Sequence, residues 1–249
     1  NGPQVGHLMS LDETTPLDSW VAATQGTIGH DLSINLDSIL LRRGRPEKTA
    51  VVLTRVEVSP DDERFKFPTK PIGSILNDKQ VMTMDWDIAE TVNGPRRVVA
   101  SPAPKRIIDL EVISALVAAG AIVICGGGGG IPVSLKENYF VGTPAVIDKD
   151  SFSSLLATEL GADALIISTA VDSLKINYNT LSEESLTKLN LADARMYLEQ
   201  GQFPSGSMGP KVNSLCNAVE KSPEIIAILC QPGDALSSLR GDTGTLICK

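Results

Sequence analysis

The stretch Ala121-Ile122-Val123-Ile124-Cys125-Gly126-Gly127-Gly128-Gly129-Gly130-Ile131-Pro132-Val133 decides how this chain is read. Its first five residues form an apolar, largely β-branched run of strand length, and five glycines follow without a break. Glycine in ordered structure costs about 1 kcal/mol relative to alanine through lost chain entropy, so packing alone does not account for the run. A backbone bare of Cβ atoms at a strand end can offer its N–H groups as a concave donor surface for phosphate oxygens. Gly127, Gly128 and Gly129 are the candidate contacts, with a flexible turn as the plainer alternative. The run does not match GxxxxGK[ST]. Nor does it open directly into a helix as a dinucleotide fingerprint would, because Pro132 and an apparent hairpin over 131–141 follow.

Outward from this strand the rhythm is regular. A helix over 106–119, closed by Gly120, leads into it; a helix over 151–160, closed by Gly161, leads to a strand over 164–169. A helix over 191–200 ends at Gly201, a loop spans 202–210, and another helix starts at Lys211. The chain closes with a strand over 224–230, a short helix over 234–240 and a strand over 245–248. Upstream, apolar residues recur at three-to-four spacing over 15–44, with Thr15 as a possible N-cap, Pro16 in the first turn, and Gly26 and Gly29 weakening the middle. A strand is expected over 49–58. The proline-rich, irregularly charged stretch 59–104 reads as an inserted lobe. Alternation of strands and helices predicts a mostly parallel sheet covered on both faces, with the site outside the carboxyl ends of the strands.

With 249 residues, 42% hydrophobic and 21% charged, the chain has the composition of a globular protein. A formal net charge of −8 argues against a nucleic-acid partner or an anionic membrane surface, which demand clustered basic side chains. No stretch reaches the ~20 apolar residues of a membrane span. Cys125, Cys216, Cys230 and Cys248 lack CxxC spacing or nearby histidines, so they read as free thiols of a reducing cytoplasm and no metal site is expected.

Three lysines stand out. Lys149 lies between Asp148 and Asp150 at a helix start, where the helix dipole disfavours a cation. It would suit an anionic ligand, neutralising charge on a transferring phosphoryl group, or else belong to a solvated charge cluster. Lys211 follows Gly206-Ser207-Met208-Gly209-Pro210 at another helix start, where amides and an ammonium could converge on a phosphate. Lys70, in Phe67-Pro68-Thr69-Lys70-Pro71-Ile72-Gly73, is held between two prolines of the irregular lobe, as a lid residue or in a structural turn. His7 and His30 have no partners at metal or triad spacing, and no serine or cysteine stands in a nucleophile context.

The strings Asn1-Gly2-Pro3-Gln4-Val5-Gly6, Gln25-Gly26-Thr27-Ile28-Gly29, Pro68 to Gly73, Arg96-Arg97-Val98-Val99, the glycine run with Ile131-Pro132-Val133, Ala145-Val146-Ile147-Asp148-Lys149-Asp150 and Gly206 to Lys211 together resemble the carbamate kinases. The resemblance runs along nearly the whole chain. It implies a single amino-acid kinase domain over 1–249, an α/β three-layer αβα sandwich with a protruding subdomain, the lid, at 59–104. It further implies reversible phosphoryl transfer between ATP and carbamate, giving ADP and carbamoyl phosphate, with Mg²⁺ on the nucleotide and a cytoplasmic homodimer in arginine metabolism. Carried over by position, Lys149 and Lys211 resemble phosphate-clamping lysines and Asp150 the carboxylate that orients them. Lys70 is similar to the lobe lysine brought over the substrate, and Asn1 and Gly2 resemble a turn near the carbamoyl group. Thr169, Val171, Asp172, Tyr178, Met208, Gly209 and Pro210 are implied on the nucleotide side. Family members begin with a strand and a GGNA phosphate loop, so the chain is expected to be amino-terminally incomplete. It also departs at Ala170 and at Asn179, where a glycine is common. Two other readings are an amino-acid kinase relative acting on a different small acid, and a degenerate homologue that binds nucleotide or a partner without turnover.

Overall fold

Proline at position 16 sets where the first helix begins. Its φ of −60° and ψ of 150° are those of an N-cap, and its carbonyl accepts from Trp20 N–H at 3.2 Å, so α1 (Leu17–Arg42) starts one residue later and Thr15 is not the cap. The computed structural model describes residues 15–249, which form two compact units divided between Phe152 and Ser153.

In the first unit α1 buries Leu17, Val21, Thr24, Gln25 and Gly29. Gly29 is there for contact: a Cβ on it would stand 2.5 Å from Val51 Cγ1, so only glycine lets α1 lie this close to the neighbouring strand. The single strand expected over 49–58 is broken into β1 (Thr49–Val52) and β2 (Arg55–Glu57). The break has tertiary causes: Thr54 N–H donates to Gln25 Oε1 (2.9 Å) and Arg55 N–H to Asp109 Oδ2 (2.7 Å), which withdraws both from a continuous ladder.

The stretch 59–104 is more regular than its composition suggests. β3 (Lys70–Pro71), β4 (Ile88–Thr91) and β5 (Gly94–Val99) form an antiparallel sheet in the order β3-β5-β4, with α2 (Asp78–Thr83) closed by a capping box between Asn77 and Gln80. Ile72 and Val99 are buried with Leu17, Val21 and Ile131 in one apolar cluster. The helix expected over 106–119 also starts late, as α3 (Leu110–Ala118), because β6 (Arg106–Ile107) pairs antiparallel with β2. Glu57 fixes that pairing by accepting from Arg106 Nη2 at 2.7 Å and Lys105 Nζ at 2.9 Å.

β7 (Ile122–Cys125) pairs parallel with β1, Thr49 opposite Ile122 and Val52 opposite Cys125. After the glycines, β8 (Ile131–Lys136) pairs parallel with β2 and forms the expected hairpin with β9 (Tyr139–Gly142). α4 (Lys149–Leu160) follows, and the division between the units falls within it.

The second unit holds a sheet in the order β10-β14-β15-β13, from β10 (Ala164–Ser168), β13 (Lys188–Asn190), β14 (Ile226–Cys230) and β15 (Thr245–Cys248). β10 with β14 and β13 with β15 are parallel, and β14 with β15 is antiparallel. Its core joins Leu165, Ile167, Ala227, Leu229 and Ile247 of the strands to Val212, Leu215 and Val219 of α6 (Met208–Lys221). α5 (Leu191–Glu199) and α7 (Ala235–Leu239) complete the helices. A small antiparallel arm pairs β11 (Leu174–Ile176) with β12 (Glu184–Leu186) in a stretch whose sequence shows no strand pattern. Among the described residues no helix is long and apolar enough to cross a membrane.

Candidate active site

Two strings that the sequence keeps apart are pressed together in the first unit. Gly126 is left-handed, and Gly127–Gly129 make a short 3₁₀ turn before β8. At Gly129, with φ of 96°, a Cβ would lie 2.3 Å from the carbonyl oxygen of Ile147, so the glycine turn rests directly on the backbone that precedes Asp148 and α4. The other side of the turn is tied to α1: Gln25 Nε2 donates to Gly127 O (2.9 Å), and Gly126 N–H donates to Thr54 Oγ1 (2.9 Å). Gly129 N–H is already given to Gly126 O at 2.9 Å, whereas the N–H groups of Gly127 and Gly128 find no partner among the described residues. Gly127 is exposed and Gly128 half-buried, so these two, rather than Gly129, can present donors to an anion.

Asp148 organises the start of α4. Its Oδ1 accepts from the N–H groups of Asp150 (3.0 Å) and Ser151 (3.1 Å), which makes it the N-cap and moves the helix start two residues ahead of the expected 151. Lys149 thus occupies the first helical position, its side chain 62% exposed, with Nζ 3.3 Å from Oδ2 of the buried Asp150. From the lobe, Lys70 Nζ reaches Asp148 Oδ2 at 2.8 Å. Burial pushes the Asp148 carboxyl up, but the Lys70 ammonium, the α4 amide of Ser151 and Lys149 together outweigh it and hold it below the ordinary carboxylate range. The first unit therefore brings Lys70, Asp148, Lys149, Asp150 and the glycine turn into one neighbourhood. Asn1, Gly2 and His7 lie outside the described residues, and His30 is exposed on α1.

In the second unit α6 begins at Met208, not Lys211. The Gly209-Pro210 pair reads as a helix breaker, but the first N–H groups of a helix have no intrahelical partner, so proline is tolerated in the first turn. Lys211 stands in that first turn, half-buried. Gly209 N–H donates to Pro204 O at 2.9 Å and folds the preceding loop back on the helix. A cavity of about 180 Å³ opens beside it, lined by Val171, Ser173, Lys175, Tyr178, Gln202, Phe203, Pro204, Ser207 and Met208. Three of the expected nucleotide contacts, Val171, Tyr178 and Met208, share its wall. Thr169, Asp172, Gly209 and Pro210 do not: Thr169 N–H extends the β10–β14 ladder to Cys230 O (2.8 Å), and Asp172 Oδ1 accepts from Ser173 Oγ (3.3 Å). Asn179 adopts φ of 60°, a left-handed conformation that asparagine tolerates better than most residues, so this departure from glycine is accommodated.

Gln25, Thr54, Lys175, Gln202 and Phe203 join these two neighbourhoods only through contacts that the sequence does not mark, and Asp148, visible there as a neighbour of Lys149, gains its contact with Lys70 only in the fold. The four cysteines are free thiols. Among the described residues no group of three or more His, Cys, Asp or Glu side chains is placed to hold a metal ion.

A profile of the Amino acid kinase family matches residues 37–228. The chain is 39% identical to the carbamate kinase of Clostridium perfringens, an alignment that takes in 100% of this chain and 84% of the relative. It is 41% identical to the carbamate kinase-like protein YqeA of Escherichia coli, over 100% of this chain and 85% of that protein. Among solved structures it superposes on the carbamate kinase from Giardia lamblia bound to AMP-PNP with a TM-score of 0.90 at 33% identity, covering 100% of this chain and 83% of the other. The same enzyme bound to citric acid gives a TM-score of 0.92 at 32% identity, covering 100% and 82%.

Proposed function

The chain belongs to the amino acid kinase family and within it to the carbamate kinases, and from that premise we propose that it catalyses reversible phosphoryl transfer between ATP and carbamate, giving ADP and carbamoyl phosphate. One observation carries the reading: the glycine turn, whose Gly127 and Gly128 N–H groups have no partner among the described residues, rests on the segment that aims Lys149 and receives Lys70. Phosphoryl transfer asks for positioning and positive charge rather than a covalent nucleophile, and donors with ammonium groups supply both. In this proposal Gly127 and Gly128 donate to phosphate oxygens, Lys149 and Lys211 neutralise charge on the transferring group, and Asp150 orients them. Lys70 acts on the carbamoyl end from the lobe 59–104, which serves as a lid.

The cavity beside Met208 is the proposed seat of adenine, supported by its apolar wall of Val171, Phe203 and Met208 with Tyr178 at one side. That the Giardia lamblia carbamate kinase binds AMP-PNP, an adenine nucleotide, supports a nucleotide site in this chain as well. The divalent ion, proposed as Mg²⁺, would arrive on the nucleotide. Asp148 and Asp150 offer the hard oxygens that Mg²⁺ takes, but both are engaged by lysines, which leaves the ion chiefly to phosphate oxygens. A cytoplasmic homodimer working in arginine metabolism completes the proposal, on the resemblance of the sequence strings.

The test is direct. Purified protein is given ADP, Mg²⁺ and carbamoyl phosphate, and ATP is read by luciferase. Steady ATP formation is expected; folded protein that makes none overturns the reaction.

A further inference from the structure

We infer that Asp148 is a positioning residue of this reaction, a single carboxylate that fixes the lobe lysine with one oxygen and the start of α4 with the other. The inference rests on the reaction proposed above. Oδ2 receives Lys70 Nζ at 2.8 Å across 78 residues of sequence, while Oδ1 accepts two amides of the first turn of α4 at 3.0 and 3.1 Å. The two contacts reinforce one another. A carboxylate already held by two backbone donors is a rigid anchor, so Lys70 meets it without a second side chain having to be ordered. Lysine carries a long stem with high rotamer entropy, and anchoring it before substrate arrives removes part of the ordering cost from the binding step.

The cap acts on the other lysine. By closing α4 at its first turn, Asp148 places Lys149 at the first helical position, where the helix dipole would otherwise disfavour a cation. The segment carrying it lies against the glycine turn, with Ile147 O 2.3 Å from where a Cβ on Gly129 would stand. Asp148 itself touches no reacting atom in this scheme, since both oxygens face protein donors.

The variant Asp148→Asn separates the two roles. Asparagine is as good an N-cap as aspartate, so its amide oxygen keeps the helix start, but its NH₂ group cannot accept from Lys70. Asp148→Ala removes both. For Asp148→Asn the expected result is an intact fold, a KM for ADP within about twofold of the parent, and kcat/KM for carbamoyl phosphate lowered about tenfold, mostly through KM. In a Lys70→Ala background the same substitution should cost less than about twofold more, because its effect runs through Lys70. Asp148→Ala should lose rate even in that background, through Lys149. A full independent tenfold loss for Asp148→Asn without Lys70, or a fall in kcat with both KM values unchanged, as from a reduced folded fraction, overturns the inference. So does an Asp148→Asn enzyme indistinguishable from the parent. A parent protein that makes no ATP overturns the reaction instead. The thermal-unfolding cycle of Lys70→Ala with Asp148→Asn then reads the coupling alone, and additive shifts there overturn the Lys70 anchor.

Discussion

Gly129→Ala is the substitution on which the close approach of the two phosphate-side strings can be measured. Its added Cβ would meet three backbone atoms: Ile147 O at 2.3 Å, Ile147 C at 2.8 Å and Asp148 C at 3.2 Å. None of these can swing aside like a side chain, so either the turn or the segment before α4 must move. Forcing extra atoms into a packed region costs roughly 1–3 kcal/mol. The residue also has φ of 96°, and an L side chain in left-handed space adds roughly 1–2 kcal/mol. Together these predict a loss of about 3 kcal/mol, or a fall in Tm of roughly 6–12 °C for a protein of this size.

Gly120→Ala is the internal control. Its φ is 82°, but nothing lies within 4 Å of the new Cβ, so it bears the conformational cost without the clash. A loss of about 1 kcal/mol and a Tm shift of roughly 2–4 °C are expected. Circular dichroism melts of both variants against the parent, with ATP formation assayed at a temperature where all three are folded, make the comparison. The backbone that must yield in Gly129→Ala carries Asp148 and Lys149, so its rate should fall even where its fold survives, while Gly120→Ala should keep the parent's rate. Equal Tm shifts for the two variants would refute the contact.

Lys211→Ala should lower kcat/KM about a hundredfold in the ATP-forming assay, roughly 3 kcal/mol of transition-state stabilisation, in a protein that still folds. Arg195 Nε and Nη2 grip Glu220 at 2.8 Å while Nη1 reaches Asn213 (2.6 Å) and Nη2 Asn217 (2.7 Å), all three acceptors on one face of α6. Arg195→Ala should therefore cost about 1–2 kcal/mol by urea titration, and Arg195→Lys should recover less than half, because an ammonium cannot reproduce the fork. Burial pushes the Cys216 thiol up to about 11, with Arg195 pulling it back only in part. The folded state thus favours the neutral thiol; its contribution is intact below the unfolded value near 8.5 and is lost as pH rises from there toward 11. Unfolding free energies measured from pH 8 to 10.5 should fall more steeply for the parent than for Cys216→Ala, and parallel slopes would contradict the shift.

The sequence revealed those parts of the fold whose causes are local. The β-branched run before the glycines, the hairpin after them, and the strand over 245–248 lie where periodicity and turn residues put them. It failed where a distant partner decides. Nothing in residues 49–58 marks the break at Thr54, because Gln25 and Asp109 impose it from 29 and 54 residues away. Arg106 and Ile107 carry an acceptable helical pattern, and only Glu57 and Val56 make them a strand. β11 and β12 have three residues each, too few for any alternation to be read.

The same division runs through the candidate site, and it has a mechanistic sense. The groups proposed to face phosphate, Lys149, Lys211 and the amides of Gly127 and Gly128, are visible in the sequence because anion recognition demands unusual residues in unusual places: a cation at a helix start, and glycines where any Cβ would obstruct. Their supports are ordinary residues made special only by contact: Thr54 holding Gly126, Gln25 holding Gly127, Asp148 holding Lys70. A threonine, a glutamine or an aspartate in those strings has many innocent explanations until the chain closes. Removing a facing group deletes charge or a donor from the phosphate, which lowers the rate while leaving the rest of the geometry in place. Removing a support leaves every facing group present but misaimed, so the loss should depend on whether its client group is still there. That dependence is what double-mutant cycles measure, and the supports are where they should find coupling.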